Sequence, residues 1–245
     1  MTSHRERYYP ESKFGGFTSV DGTIAFYSRV NSLLRPEFTC LDVGCGRGEY
    51  AEDPVPFRRE LRVLKGKAAK VVGIDVDRRA ADNPFIDEFH LLAGAKWPIE
   101  DDSIDVAVCD NVMEHVGDVD AFFSEAARVI KRSGYLCIRT PNRFSYVGLL
   151  SGLIPNRLHA RVLKHAQEQR HEEDVFSTFY RCNTRRTMRR ALKRHGFDAA
   201  VCAYEAEPAY FNFSRWAYLF GVLHQKYAPA SIKTNILAFA RREAA

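Results

Sequence analysis

The sequence contains no long hydrophobic run. Although 46% of its 245 residues are hydrophobic, no apolar stretch approaches the roughly 18 residues that a membrane-spanning helix needs. The N-terminal stretch MTSHRERYYPESKFGG also lacks the apolar segment of a secretory signal. These absences argue against the membrane-spanning and secreted classes. We therefore expect a cytoplasmic protein, with peripheral contact to a membrane as the open alternative.

Closely spaced cysteine pairs are missing too. The six cysteines stand at positions 40, 45, 109, 137, 182 and 202, and none forms a Cys-x-x-Cys pair. Several of them lie in apolar stretches, which is typical of buried free thiols in a reducing compartment. We therefore expect free thiols rather than disulfides.

Carboxylates are absent from residues 181–194, although this segment holds seven Lys and Arg residues. The excess of positive charge is therefore local. Such a run is typical of the solvated face of a surface helix, or of a patch that binds an anionic partner such as RNA. We favour the solvated face, so nucleic acid is the less favoured partner.

The chain does contain a regular alternation of strand and helix patterns. Short apolar runs such as KVVGIDVD and SIDVAVCD end in Asp, as buried parallel strands do. Between such runs, apolar residues recur at helical spacing in 18–34, 119–130, 184–195 and 212–227, and Gly134 is placed to end the second of these helices. This alternation predicts a doubly wound α/β sheet with helices on both faces.

One segment, residues 143–183, interrupts the alternation because it is too long for a simple connection. We interpret it as a lid-like insertion after the fifth strand of a single domain that covers residues 1–245. Residues 1–35 would form an N-terminal cap and helix. Within the insertion, the mixed apolar and basic stretch 143–168 is consistent with a membrane-facing segment, but its short apolar part favours a lid.

Three glycines alternate in the stretch LDVGCGRGEY, at positions 44, 46 and 48. A glycine-rich turn at the end of a strand exposes backbone N–H groups to a ligand. Asp75 ends the next strand, where nucleotide-binding α/β folds place an acid that accepts hydrogen bonds from ribose hydroxyls. Glu49 stands where the dinucleotide fingerprint needs glycine, and no P-loop sequence is present. The pattern therefore predicts a nucleoside ligand that is neither a dinucleotide nor a P-loop nucleotide.

The motifs LDVGCGRG, VVGIDVD, WPIEDDSIDVAVCDNVMEHV, AARVIKRSGYLCIRTPN and RALKRHGF occur in an order that resembles class I S-adenosylmethionine-dependent methyltransferases. Within that class, the chain is most similar to the ubiquinone and menaquinone biosynthesis group. The resemblance is strong over residues 38–142 and weak over 184–241. It implies a Rossmann-like seven-stranded sheet whose last strand is antiparallel, and S-adenosylmethionine as cofactor.

The resemblance also implies which residues bind that cofactor. The backbone of Gly44, Cys45 and Gly46 would contact its methionine and ribose portions. Asp75 would accept the ribose hydroxyls, Val76 would lie against adenine, and Asp110 would sit near the sulfonium. The full implied set is Asp42, Gly44, Cys45, Gly46, Asp75, Val76, Ala93, Asp110 and Asn111. Many relatives place an acid where this chain has Ala93 and Gly94, so backbone contacts would replace that acid at the adenine.

Two histidines are candidates for a catalytic base, which a hydroxyl acceptor would need. His115 follows the fourth strand, and its alternative role is to pack or cap the following helix. His171 lies in the insertion, where a surface histidine is the plainer interpretation. Some relatives carry Glu-x-x-Glu-His at the position of Asn111 to His115 and use a divalent metal. Because Asn111 replaces the first carboxylate, we expect no required metal.

These inferences predict methyl transfer to a small-molecule acceptor, with oxygen as the methylated atom. A saccharide, a quinone-like phenol and a secondary metabolite are the candidate acceptors. RNA methylation through the basic segment 181–194 is the alternative enzyme activity. A cofactor-binding module without catalysis is the alternative outside enzymes.

Overall fold

A seven-stranded mixed sheet forms the centre of the protein. The computed structural model describes residues 4–146, 148 and 178–244. The strand order is β3-β2-β1-β4-β5-β7-β6, and β7 runs antiparallel to both of its neighbours while the remaining pairs are parallel. The strands are β1 (Thr39–Val43), β2 (Lys70–Asp75), β3 (Glu88–Leu91), β4 (Ile104–Asp110), β5 (Ile130–Pro141), β6 (Phe197–Tyr204) and β7 (Asn235–Arg242). The predicted fold class is confirmed, including the antiparallel last strand.

Three of the α-helices among the described residues begin at a side chain that accepts a backbone N–H group of the first turn. Asp21 accepts from Thr23 and Ile24 at the start of α2, and Thr184 forms a capping box with Thr187 before α5. The helices are α1 (His4–Tyr8), α2 (Gly22–Leu33), α3 (Pro56–Arg62), α4 (Val119–Val129), α5 (Arg185–Arg194) and α6 (Arg215–Tyr227). None of these helices is long and apolar enough to cross a membrane.

The prediction that Gly134 ends a helix is wrong. Helix α4 ends at Val129, and β5 begins directly at Ile130. A Cβ on Gly134 would lie 2.9 Å from the Asp105 carbonyl oxygen and 2.8 Å from the Ile130 side chain. Gly134 is therefore needed because two backbone segments pass close together at the start of β5.

The core lies on both faces of the sheet. One face packs against α4 and α5, and its buried side chains include Leu41, Phe123 and Met188. The other face packs against α2, with Phe26 and Cys40 in its cluster. Because adjacent residues of a strand point to opposite faces, neighbours such as Cys40 and Leu41 fill different layers, which explains the continuous apolar runs. All six cysteines are free thiols, as predicted, and only Cys202 is exposed.

The carboxyl edge of the parallel strands carries a further layer. Tyr204, at the end of β6, pairs with Asn235, at the start of β7. The intervening residues 205–234, which include α6, therefore leave and rejoin the sheet at this edge. Helix α1 packs on α6, with the rings of Tyr8 and Tyr218 stacked 5.8 Å apart. The strand ends that carry Asp75 and Asp110 open at the same edge.

Candidate cofactor site

The glycine turn after β1 needs glycine at each alternate position. Gly44, Gly46 and Gly48 have φ angles of 71°, 55° and 82°, a region that side chains with a Cβ rarely adopt. Space is also short, since a Cβ on Gly44 would lie 2.4 Å from Val112 and one on Gly48 would lie 2.9 Å from Asn83. The turn is a tightly packed stretch of main chain in which a side chain at Gly44 or Gly48 would clash with its neighbours.

Asp75 is held beside this turn by hydrogen bonds to both of its carboxylate oxygens. The Gly46 N–H donates to Oδ2 at 2.9 Å, and the Asp77 N–H donates to Oδ1 at 2.8 Å. An ionised carboxylate has about four acceptor positions, so each oxygen can still accept another hydrogen bond. The carboxylate is therefore oriented and has the capacity to accept from two neighbouring hydroxyls.

Asn83 supports the turn from the protein interior, and the sequence analysis missed it. Its buried side-chain amide donates to the carbonyl oxygens of Cys45 at 2.9 Å and Gly46 at 3.2 Å. Both of these carbonyls belong to residues that were predicted to contact the cofactor. No sequence signal marks Asn83, because an asparagine in a polar connection is commonplace.

Val76 and Ala93 follow the ends of two adjacent strands. Asp75 pairs with Leu91 across β2 and β3, and the Leu92 N–H donates to the Asp75 carbonyl at 2.7 Å. Val76 is 58% exposed, and Ala93 is exposed as well. The two predicted adenine-contacting residues thus lie at neighbouring strand ends, where they leave apolar surface open beside Asp75.

Asp110 is engaged by a buried arginine that the sequence analysis also missed. Arg139 of β5 donates from Nε to Oδ1 at 2.6 Å and from Nη2 to Oδ2 at 2.7 Å, and the Tyr27 hydroxyl donates to Oδ2 at 3.1 Å. Burial alone would raise the pKa of Asp110, but Arg139 outweighs burial and holds this pKa below its usual value. Asp110 is therefore ionised and paired. The usable signal was Arg139 itself, a charged residue inside an apolar strand.

Asp42 differs from Asp110 because its pKa is raised and not lowered. Burial in β1, reinforced by the carboxylates of Asp110 and Asp75 and opposed by Arg62, raises its pKa to about 7. Three carboxylates thus meet two guanidinium groups, of Arg139 and Arg62, at the ends of β1, β2 and β4. Because a pKa of about 7 leaves Asp42 partly protonated near neutral pH, the negative and positive charges here are close to balanced.

The predicted base His115 lies in a short 3-10 turn, Met113–His115, directly after β4. Its neighbour Glu114 is buried and accepts a hydrogen bond from the Thr140 hydroxyl at 2.9 Å. Thr140 in turn accepts from the Asn183 amide at 2.6 Å. This chain of buried polar groups fixes the backbone that carries His115, because an unsatisfied partner would be costly.

Some of the remaining predicted residues lie within the described residues and some lie outside them. Asn111 has a left-handed backbone with φ of 56°, and its amide donates to Asp110 Oδ1 at 3.0 Å. His171, most of the insertion 143–183 and nearly all of the segment 143–168 lie outside the described residues. Among the described residues there is no group of three or more side chains that could hold a metal ion.

Residues 19–200, most of the chain, match a family described as a methyltransferase domain. The chain belongs to this methyltransferase family. It is 33% identical over 125 residues to the "Probable S-adenosylmethionine-dependent methyltransferase Rv3030" of Mycobacterium tuberculosis, an alignment that covers 48% of this chain and 42% of that protein. It is 31% identical over 104 residues to the ubiquinone biosynthesis O-methyltransferase of Bartonella tribocorum, covering 42% of this chain and 41% of the relative. The chain thus spans about two fifths of the length of these methyltransferases.

Solved structures of methyltransferases share the fold. An S-adenosylmethionine-dependent methyltransferase from Mesorhizobium loti superposes with a TM-score of 0.55 at 18% identity, over 89% of this chain and 98% of that one. A geranyl diphosphate C-methyltransferase from Streptomyces coelicolor, solved with S-adenosyl-L-homocysteine, gives 0.54 at 14% identity, over 89% and 74%. The resemblance to class I methyltransferases is confirmed, and the cofactor in the names of these relatives is S-adenosylmethionine.

The residues at the carboxyl edge fit this cofactor. Gly44 and Gly46 present main chain without side chains, Asp75 has acceptor capacity left for a ribose diol, and Val76 offers apolar surface for a flat base. The contact of each residue with the cofactor remains a prediction, as does the role of Asp110, whose two oxygens are bound to Arg139.

Proposed function

We propose that this protein transfers a methyl group from S-adenosylmethionine to an oxygen atom of a small-molecule acceptor. The observation that carries the proposal is the Asp75 carboxylate, which two main-chain N–H groups hold beside the glycine turn. That arrangement supports binding of a nucleoside through its ribose. The family and the cofactor then make methyl transfer the activity that this site supports best.

The bound cofactor supplies an electrophilic methyl group on a sulfonium centre. The protein then has to orient an acceptor oxygen in line with that methyl group and exclude water, because near-attack positioning lowers the barrier by several kcal/mol. A hydroxyl acceptor must also lose its proton. Asp110 is a poor base because Arg139 lowers its pKa and binds both of its oxygens. We therefore assign the base role to His115.

Among the acceptors, a quinone-like phenol has the most support. A relative that is 31% identical is named ubiquinone biosynthesis O-methyltransferase, and aromatic side chains are plentiful at the carboxyl edge. The rings of Tyr146 and Phe211, which follow β5 and β6, lie 5.1 Å apart. A saccharide and a secondary metabolite are the other candidate acceptors.

The His115→Ala variant tests the assignment with two catechols. For catechol itself, we expect turnover to fall about 100-fold or more while affinity for S-adenosylhomocysteine, measured by calorimetry, stays unchanged. For 4-nitrocatechol, which is largely ionised near neutral pH and needs no base, we expect a much smaller loss. An equal loss for both acceptors, or no loss for either, would remove His115 from the base role.

RNA methylation remains the second candidate because α5 presents an open basic surface. A surface pocket of about 350 Å³ is lined entirely by cations, namely Arg185, Arg186, Arg189, Arg190 and Lys193. RNA bound there would dissociate steeply with added salt, since phosphate contacts release counterions. Filter binding of tRNA between 50 and 200 mM NaCl tests whether α5 binds RNA. Binding that is absent, or that does not weaken as salt is added, would reject the RNA candidate.

A further inference from the structure

The outer face of α6 is an exposed apolar surface. Its large side chains recur at intervals of four, three and four residues, which places them on one side of the helix. We call this set the aromatic stripe: Phe213 just before the helix, then Trp216, Phe220, Leu223 and Tyr227. Their side chains are 81%, 73%, 59%, 48% and 77% exposed, in that order. Scattered exposed apolar residues are normal, but a continuous row marks an interaction surface.

The opposite face of α6 already has its partners. Tyr218, Gly221 and Val222 are buried, and a Cβ on Gly221 would lie 2.3 Å from Pro208. His224 lies 3.4 Å from the buried carboxylate of Glu205. Helix α6 is thus firmly docked through one face. The aromatic stripe stays largely exposed on the other face, although the rings of Phe213 and Phe220 lie 6.5 and 6.3 Å from that of Phe211.

Charge around the stripe indicates the kind of partner. Residues 208–242 contain no Asp or Glu, and the exposed cations Arg215 and Lys226 stand at the two ends of α6. The guanidinium of Arg215 lies 5.7 Å from the centre of the Trp216 ring. Exposed Trp, Phe and Leu on one face with flanking cations is the pattern of helices that lie in the interface of an anionic bilayer.

We propose that α6 docks the protein on an anionic membrane surface, with the aromatic stripe in the headgroup layer and Arg215 and Lys226 beside lipid phosphates. Because residues 205–234 leave and rejoin the sheet at the carboxyl edge, docking places that edge next to the bilayer. Only one consequence rests on the proposed function, namely that an acceptor dissolved in the membrane would enter the site from this side.

The two tryptophans make the docking measurable without any assay of methyl transfer. Trp97 is 3% exposed and Trp216 is 73% exposed, so a change in emission on vesicle addition reports on Trp216. With vesicles of equal phosphatidylglycerol and phosphatidylcholine, we expect a blue shift, protection from acrylamide and quenching by brominated lipid. Pure phosphatidylcholine vesicles should bind much more weakly, and no binding to anionic vesicles would overturn the proposal.

Matched variants separate this surface from α5. In co-sedimentation we expect Phe220→Ser with Tyr227→Ser, and separately Arg215→Glu with Lys226→Glu, to weaken vesicle binding about tenfold or more. The control pair Arg190→Glu with Lys193→Glu removes the same charge from α5 and should bind like the wild type. Loss confined to the α5 pair would overturn the proposal.

Two other surfaces that could cover the aromatic stripe would give different results. If a second copy covers the stripe, sedimentation velocity without vesicles will show a dimer that the Phe220→Ser and Tyr227→Ser variant lacks. If another part of the same chain covers it, Trp216 will be shielded from acrylamide in the vesicle-free monomer. Either result would contradict the proposal, whereas a monomer with an accessible Trp216 that binds anionic vesicles supports it.

Discussion

At the tips of β1 and β2 a main-chain glycine turn meets a single carboxylate, that of Asp75, whereas at the tips of β4 and β5 a network of side chains surrounds Asp110. We call these the main-chain half and the side-chain half of the site. Gly46 and Asp75 meet through one hydrogen bond, which the Gly46 main-chain N–H donates to the Asp75 carboxylate. By contrast, Asp110 depends on Arg139, and Arg139 in turn reaches Thr23 at 2.9 Å. A main-chain turn keeps its N–H donors whatever side chains it carries, whereas the side-chain network depends on the identity of each of its members.

The largest loss of stability is expected for a substitution in the side-chain half. Arg139→Met should lower the free energy of unfolding by about 3–5 kcal/mol, because it leaves the Asp110 charge buried without its partner. The double variant Arg139→Met with Asp110→Asn should recover part of the loss, since both charges are then gone. Urea unfolding measures both variants, and an Arg139→Met midpoint equal to that of the wild type would show that the pair contributes nothing.

A smaller loss of stability is expected for a substitution in the main-chain half. Gly44→Ala should cost about 2 kcal/mol or more, because it combines left-handed strain with a clash against Val112. Gly66→Ala is the matched control, since Gly66 has a φ of 83° but nothing within 4 Å of an added Cβ. Gly66→Ala should therefore lower the free energy of unfolding only by the cost of the left-handed backbone, without a clash. Equal costs in urea unfolding would mean that the turn is not tightly packed.

The smallest effect concerns Asp42, which lies between the two halves. Its pKa is raised to about 7 in the folded chain, well above the value in an unfolded chain. The folded state thus holds an extra proton below pH 7, and the stability this gives is lost as pH rises through 7. Between pH 6 and 8, the wild type should lose about 1 kcal/mol relative to Asp42→Asn. Parallel stability curves for the two proteins would refute the raised pKa.

The two halves also differ in how much of them the sequence predicts. The glycine turn and Asp75 were predicted because each stands at the end of an apolar strand pattern, and the carboxyl ends of parallel strands meet at one edge of the sheet. Asn83 was missed because only the fold brings its amide to the Cys45 carbonyl. Arg139 was missed although a buried charge requires a partner, because the sequence does not show which carboxylate it meets. Gly134 was misassigned because a glycine after a helix and a glycine at a close backbone contact look alike in sequence.

Binding of S-adenosylhomocysteine to Asp75→Asn, measured by calorimetry, tests the central claim most directly. Asp87→Asn is the matched control, because Asp87 is an acid near the opposite end of β2 whose side chain pairs with Lys65 at 3.4 Å instead. We expect Asp75→Asn to bind about 100-fold more weakly, since two hydrogen bonds to a charged acceptor are lost, and Asp87→Asn to bind like the wild type. Unchanged affinity in an Asp75→Asn protein with wild-type circular dichroism would contradict the claim that this carboxylate holds the cofactor.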